Sequence, residues 1–193
     1  IIQKCDNIGI DILTDGEIRQ ENYIHYFCRF LNGISFDKLS DIPSRNGAYT
    51  SSVPTIISKI ENKNECILGN NWQKSTLFTN KPVKIQIPGP MTIRDTIGNS
   101  FYDNDEDILT DLSKSINKEI KALVNLGCKY IQIDEPLFAR KPDETCNYGI
   151  KYIEKCFEGV PEDIIKIVHC CCGYPDKLDE TDYLKAEIGR AHV

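Results

Sequence analysis

A histidine and three cysteines stand together near the C-terminal end of the chain, as His169, Cys170, Cys171 and Cys172. The residues before them, 164–168 (IIKIV), are mostly apolar and β-branched, which predicts a buried strand. Side chains alternate along a strand, so we expect His169 and Cys171 to point to one side and Cys170 to the other. An imidazole and a thiolate projecting together from a strand end supply two ligands of a tetrahedral zinc site. The alternative is that these cysteines are small apolar residues that pack at the end of the strand. If zinc is bound, Cys170 and Cys172 are either further ligands or part of the core.

Two pairs of acidic residues also follow predicted strands. Asp15 and Glu17 come after one strand, and Asp134 and Glu135 come after another. Paired carboxylates hold a substrate cation by charge-assisted hydrogen bonds, or act as a general acid and base. Adjacent residues at a strand end face apart, so the second pair is less suited to acid–base work on one substrate. For the first pair, the simpler alternative is that acidic residues begin the following helix, where the helix dipole favours them.

The composition argues against some kinds of partner. The chain has 193 residues, is 40% hydrophobic and carries a net charge of −6. This charge argues against nucleic acid or an anionic membrane as a partner, and no apolar run approaches the roughly 20 residues of a membrane span. Nine cysteines without a secretory signal indicate reduced thiols, so we expect a cytoplasmic protein. Five of the cysteines are expected in the core: Cys5, Cys28, Cys128, Cys146 and Cys156.

Apolar periodicity predicts strands and helices in alternation. The predicted strands lie at residues 9–14, 53–60, 82–87, 129–133 and 164–168. The predicted helices lie at about residues 24–31, 66–78, 91–95, 105–126 and 146–157, with Gly33 ending the first. Residues 33–52 are rich in Ser, Asp, Asn, Gly and Pro and are expected to form a long loop. This alternation is typical of βαβ units around a parallel sheet.

The positions of the polar residues favour a barrel over an open sheet. Four predicted strands are followed by polar or turn-forming groups, at residues 15–17, 88–90, 134–135 and 169–171. Functional groups that converge from several strand ends are typical of the C-terminal rim of a (β/α)8 barrel. An open doubly wound sheet would carry a glycine-rich phosphate turn, and the sequence has none. We therefore predict an α/β fold, an incomplete (β/α)8 TIM barrel with about five of its eight strands.

Taken together, the strand-end motifs resemble one known family. The sequence is similar to the C-terminal catalytic (zinc) domain of cobalamin-independent methionine synthase, and the matching blocks follow the family's order. These blocks are residues 14–19 (TDGEIR), 26–27 (YF), 81–84 (KPVK), 88–93 (PGPMTI), 130–136 (YIQIDEP) and the pair His169-x-Cys171. The blocks span nearly all of residues 1–186, and their combination is more specific than any one of them.

The resemblance implies a particular reaction. A zinc-dependent methyltransferase of this kind moves a methyl group from methyltetrahydrofolate, in its polyglutamate form, to the thiol of homocysteine and gives methionine. The resemblance implies that His169 and Cys171 are two zinc ligands, with a Glu and a second Cys further along the family's chain. It also implies that Glu17 and Asp134 hold the amino group of the substrate.

Two departures from the family pattern leave other functions open. Asp15 stands where the better-known enzymes have a histidine, and Thr96 stands where they have a tryptophan that stacks on the pterin. Related zinc enzymes alkylate other thiols, such as coenzyme M. A metal-free barrel, such as a uroporphyrinogen decarboxylase-like enzyme, would need arginines around a large acidic ligand, and the predicted strand ends carry few. A non-catalytic binding module is the third alternative.

Both ends of the sequence look truncated. Residues 187–193 (EIGRAHV) resemble the translation of a sequencing-adapter oligonucleotide. We therefore expect a partial methyltransferase domain at residues 1–186 and a non-native tail at residues 187–193. A barrel that lacks about three strands cannot close and leaves sheet edges unpaired, so we expect the fragment itself to be inactive and prone to aggregate.

Overall fold

The computed structural model describes residues 1–44, 49–63 and 66–171. Cys172 and the predicted tail at residues 187–193 lie outside the described residues. The helices are α1 (Ile2–Asn7), α2 (Tyr23–Cys28), α3 (Ile67–Thr76), α4 (Pro90–Thr96), α5 (Asp105–Asn125), α6 (Leu137–Arg140), α7 (Pro142–Glu144), a π-helical turn (Thr145–Gly149) and α8 (Ile150–Cys156). The strands are β1 (Leu31–Ser44), β2 (Tyr49–Asn62), β3 (Ile85–Pro88), β4 (Gly98–Asn99), β5 (Tyr130–Asp134) and β6 (Ile165–His169). The chain has an α/β fold.

A parallel three-stranded sheet, in the order β3-β5-β6, carries the predicted strand–helix alternation. β5 is the central strand, and its Ile131 and Ile133 are fully buried. Of the strand predicted at residues 9–14, only Leu13 pairs, through a single parallel bridge to Val83. Ile10 and Ile12 remain 42% and 37% exposed, so that prediction was too long. The described strands form two three-stranded sheets, and within this part of the chain no barrel closes.

The second sheet corrects the prediction of a long loop at residues 33–52. β1 and β2 pair antiparallel as a hairpin of two 14-residue strands, and β4 adds in parallel beside β2. The loop prediction was wrong because one side of this hairpin is polar and exposed, whereas Ile56 and Ile60 anchor the other side in the core. Gly33 does not end a helix. It lies in β1 at a register shift, with a φ of 88°, where a Cβ would come within 2.4 Å of the Lys59 carbonyl oxygen.

The longest described helix, α5, contributes to one hydrophobic core together with residues of both sheets. The Asn104 side chain caps its first turn by accepting the Asp107 N–H, and Gly127 follows its end with a φ of 100°. Ile116 and Ile120 on its apolar face are fully buried, as the sequence periodicity predicts. Among the described helices, none combines the length and the apolar character that crossing a membrane requires.

Two burial predictions were wrong. The strand predicted to be buried at residues 164–168 is an edge strand of the described sheet, and Ile165 and Val168 are 49% and 40% exposed. Ile164, which precedes β6, is buried in the core, and Ile167 is half-buried. Cys146, expected in the core, is exposed on the π-helical turn, whereas Cys28, Cys128 and Cys156 are buried and Cys5 is half-buried.

Candidate functional site

The C-terminal ends of β3, β5 and β6 lie side by side. Asp134 pairs in register with Pro88 on one side and with His169 on the other. Backbone hydrogen bonds continue across these ends: the Gly89 N–H donates to the Asp134 carbonyl at 2.8 Å, and the Glu135 N–H donates to the His169 carbonyl at 2.9 Å. Three of the four predicted strand-end motifs therefore meet at one edge of the parallel sheet, as expected for such a sheet.

Asp134 is held at this edge with its carboxylate buried. Only 9% of the residue is exposed, and its Oδ1 accepts a hydrogen bond of 2.6 Å from the Gln132 amide. Burial raises the pKa of Asp134, against the opposing effects of the Gln132 hydrogen bond and the charges of His169 and Lys84. Burial at the C-terminal end of β5 removes water from this carboxylate. A bound cation would replace the lost hydration by a charge-assisted hydrogen bond.

The fourth motif reaches the same place through Glu17. Burial raises the pKa of Glu17, and the charges of Asp134 and then Asp15 raise it further, so the three carboxylates lie within electrostatic reach. The Asp15 Oδ1 accepts the Glu17 N–H at 2.8 Å, and Glu17 adopts a φ of 55°. This left-handed conformation is uncommon for a residue with a side chain.

The helix-start alternative for Asp15 and Glu17 is wrong. α2 begins at Tyr23, and its first turn is capped by Asn22, whose side chain accepts the N–H groups of Ile24 and His25. Neither acidic residue belongs to that turn, so the helix dipole does not explain their position.

His169 and Cys171 stand at the end of β6, as predicted. His169 is exposed, Cys171 is half-buried, and Cys170 between them is exposed. Imidazole and thiolate are ligands that zinc prefers, so these two residues fit a zinc ion by their chemistry. In residues 1–44, 49–63 and 66–171, no group of three or more His, Cys, Asp or Glu side chains is arranged to hold a metal. Within the described residues, His169 and Cys171 are therefore candidate ligands that do not make up a complete set.

Glu135 faces away from Asp134, as the strand geometry predicts. It is fully buried, and its carboxylate accepts hydrogen bonds from the Met91 N–H at 3.0 Å and from the Thr92 hydroxyl. Burial raises its pKa to about 7, against the lowering effect of these hydrogen bonds. Because Glu135 binds the first turn of α4 and Asp134 binds Gln132, the two residues do not form a shared acid–base pair.

Comparison with known proteins identifies the family. The sequence profile described as "Cobalamin-independent synthase, Catalytic domain" matches residues 1–155. The chain belongs to this family. It is 35% identical over 175 residues to a methionine synthase from Saccharolobus solfataricus, covering 90% of this chain and 50% of the relative. It is 32% identical over 194 residues to a methionine synthase from Sulfolobus acidocaldarius, covering 100% of this chain and 53% of the relative.

Two solved structures share the fold of this chain. A B12-independent methionine synthase from Shewanella sp. W3-18-1, in complex with selenomethionine, superposes with a TM-score of 0.82 at 32% identity, covering 90% of this chain and 50% of that chain. A putative vitamin-B12-independent methionine synthase from Listeria monocytogenes shares the fold at a TM-score of 0.71, with 19% identity, covering 90% and 53%. The chain thus spans about half the length of the relatives it matches.

Tyr23 is a further candidate site residue that the sequence reasoning missed in this member of the cobalamin-independent synthase family. Burial raises its pKa to about 12, and the next causes are the charges of Asp134, Cys171, Glu135 and Glu17. The phenol therefore lies within electrostatic reach of the acidic residues and the thiol of the candidate site. The sequence did contain a signal: Tyr23 begins the helix that follows the motif of Asp15 and Glu17. Segments that follow strand ends line the C-terminal rim of a (β/α)8 barrel.

Proposed function

We propose that the full-length protein is a zinc-dependent methyltransferase that moves a methyl group from a methyltetrahydrofolate-type donor to the thiol of homocysteine. The observation that carries this proposal is the pairing of Asp134 with His169 on neighbouring strands. A group suited to bind a substrate cation thus stands beside a zinc-type ligand. Homocysteine carries a thiol and an ammonium group, and the family relatives named methionine synthase support the same substrate.

His169 and Cys171 would hold the zinc ion, together with ligands from the rest of the full-length chain. Zinc would supply the means to deprotonate the substrate thiol near neutral pH, which matters because the thiolate is the nucleophile. In this proposal, Glu17 and Asp134 bind the substrate ammonium by charge-assisted hydrogen bonds and so orient the sulfur. Orientation of the two reacting groups removes much of the entropic barrier to methyl transfer.

The acidic pair favours homocysteine over the other substrates considered. Coenzyme M carries a sulfonate and no ammonium, and a sulfonate would be repelled by Glu17 and Asp134. A large polycarboxylate, as in a decarboxylase of the uroporphyrinogen type, would meet the same repulsion. Our proposal of a polyglutamate folate donor rests on the family resemblance. Thr96 has no aromatic ring that could stack on the pterin, and its hydroxyl donates to the Thr92 carbonyl at 2.7 Å.

We also propose that residues 1–186 form part of a (β/α)8 barrel, and that the rest of the full-length chain supplies the remaining strands. The parallel β3-β5-β6 sheet and the convergence of the site residues at its C-terminal edge support this architecture. The eight described cysteines are free thiols, which supports our proposal that the protein works in the cytoplasm.

Steady-state kinetics of the full-length, zinc-loaded protein test the proposed function. We expect methionine to form from homocysteine and methyltetrahydrofolate polyglutamate. Asp134→Asn should raise the KM for homocysteine roughly 10- to 100-fold, the value of a hydrogen bond to a charged group. Asp163→Asn is the matched control, because Asp163 is 64% exposed and pairs with Lys129. Absence of methionine formation, or an unchanged KM in Asp134→Asn, would overturn the proposal.

A further inference from the structure

A chain of side-chain hydrogen bonds runs from Lys84 through Gln132 to Asp134. The Lys84 Nζ donates to the Gln132 Oε1 at 2.7 Å, and the Gln132 Nε2 donates to the Asp134 Oδ1 at 2.6 Å. Gln132 and Asp134 are 8% and 9% exposed, so water competes little for these bonds. Lys84 is fixed in turn by its backbone N–H, which donates to the Leu13 carbonyl at 2.8 Å.

The chemistry of the three groups allows only one orientation of the Gln132 amide. A lysine ammonium only donates hydrogen bonds, and an ionised carboxylate only accepts them. The amide oxygen must therefore face Lys84, and the amide NH2 must face Asp134. Without Lys84, the amide could turn over and present its oxygen to the carboxylate, which would be repulsive.

The bond from Gln132 occupies one oxygen of the Asp134 carboxylate. Within the described part of the chain, the other oxygen, Oδ2, has no hydrogen-bond partner. Asp134 is also in register with His169, so a group bound at Oδ2 would lie near the strand end that carries His169. The geometry therefore fixes the carboxylate while it leaves an acceptor for a ligand.

We propose that Gln132, held in one orientation by Lys84, is a positioning residue that aims the Asp134 carboxylate at the ammonium group of the substrate. The inference rests on the proposed function, since it concerns the same substrate. Gln132 does not contact the reacting atoms and acts through Asp134. Lys84 acts one step further away, through the amide, so removal of either residue breaks the same chain.

The experiment compares two thiols in variants of the full-length, zinc-loaded protein. Homocysteine has the ammonium group, and its deaminated analogue, γ-mercaptobutyrate, lacks it. We expect Gln132→Met and Lys84→Met each to raise the KM for homocysteine about tenfold with little change in kcat. The KM for γ-mercaptobutyrate should stay near its wild-type value in both variants. Lys84→Arg, which keeps a cationic donor, should restore most of the affinity for homocysteine.

A double variant distinguishes a shared chain from two separate effects. If Lys84 acts through Gln132, the double variant Lys84→Met/Gln132→Met should lose no more than either single variant. Additive losses, or equal losses for both thiols, would overturn the positioning role, because a purely structural defect affects both substrates alike. If the wild-type protein methylates neither thiol, the proposed function itself fails, which is a different outcome from a working enzyme with unresponsive variants.

Discussion

Asp134 and His169 are direct register partners at the ends of β5 and β6, and the Glu135 N–H donates to the His169 carbonyl at 2.9 Å. Both side-chain positions are thus set by the same ladder of backbone hydrogen bonds. A shift of β6 by one residue would turn His169 to the other face of the sheet. The register of these two strands therefore decides whether the carboxylate and the imidazole can serve one ligand.

The affinity for homocysteine should fall as the pH falls. Burial, Asp134 and Asp15 raise the pKa of Glu17, so this carboxylate takes up a proton at a higher pH than an ordinary glutamate. The substrate ammonium stays charged over this range, so its attraction to Glu17 is present above the raised pKa and is lost below it. On acidification from neutral pH, we expect the KM for homocysteine to start rising at a higher pH than the ordinary glutamate pKa would give.

Glu17→Gln provides the control for this pH dependence. The variant should show a higher KM at pH 7 and a weaker rise on acidification, because the titrating group is gone. The raised pKa of Asp134 leaves a residual rise. A pH profile of KM identical to that of the wild type would show that Glu17 does not bind the ammonium.

Gly89→Ala should destabilise the protein through a collision with Glu135. A Cβ at residue 89 would lie 2.1 Å from the Glu135 Oε2, and this carboxylate is held in place by the Met91 N–H at Oε2 and by the Thr92 hydroxyl at Oε1. We expect a loss of about 1–3 kcal/mol in the free energy of unfolding, measured by urea denaturation of the full-length protein. In a Glu135→Ala background the same substitution should cost much less. Equal costs in the two backgrounds would mean that the strain lies elsewhere.

Glu119→Ala should destabilise the start of α3. The Glu119 Oε1 accepts the Leu68 N–H at 3.1 Å and the Cys66 thiol at 3.3 Å, and Glu119 is 5% exposed. Its loss leaves a buried N–H without an acceptor, at a cost of about 1–3 kcal/mol. Glu119→Gln keeps an acceptor oxygen and should lose less than half as much in a urea titration. An alanine variant as stable as the glutamine variant would contradict this role.

The sequence predicted well those elements whose burial follows their own periodicity. α5 has a single apolar stripe, and β5 is a short apolar run, so both were predicted close to their observed bounds. The strand predicted at residues 53–60 is confirmed as part of β2, but β1 and its pairing with β2 were missed because Asp41 and Ser52 lie on the exposed face, where polar residues look like a loop. The register of this hairpin depends on pairing between strands, which no local pattern records.

The candidate site was predictable only as far as strand ends reveal it. The meeting of Asp134 and His169 followed from the rule that parallel strands end at one edge. Tyr23 was missed because it lies on a helix, and its closeness to the carboxylates depends on how α2 packs against the sheet. The burial of Cys146 was predicted wrongly. The spacing of apolar residues does not reveal the π-helical turn, and Cys146 is exposed on that turn.

Zinc content is the most direct test of the central claim. This claim is that His169 and Cys171 hold a metal beside the carboxylates of Glu17 and Asp134. Zinc should be measured by elemental analysis in the full-length protein and in His169→Ala, Cys171→Ala and Cys170→Ala variants. Cys170→Ala is the matched control, since this neighbouring thiol is expected on the opposite side of the chain. We predict about one zinc per wild-type or Cys170→Ala chain, and far less zinc and no methyl transfer in the other two variants. Full zinc content and full activity in Cys171→Ala and His169→Ala would contradict the claim.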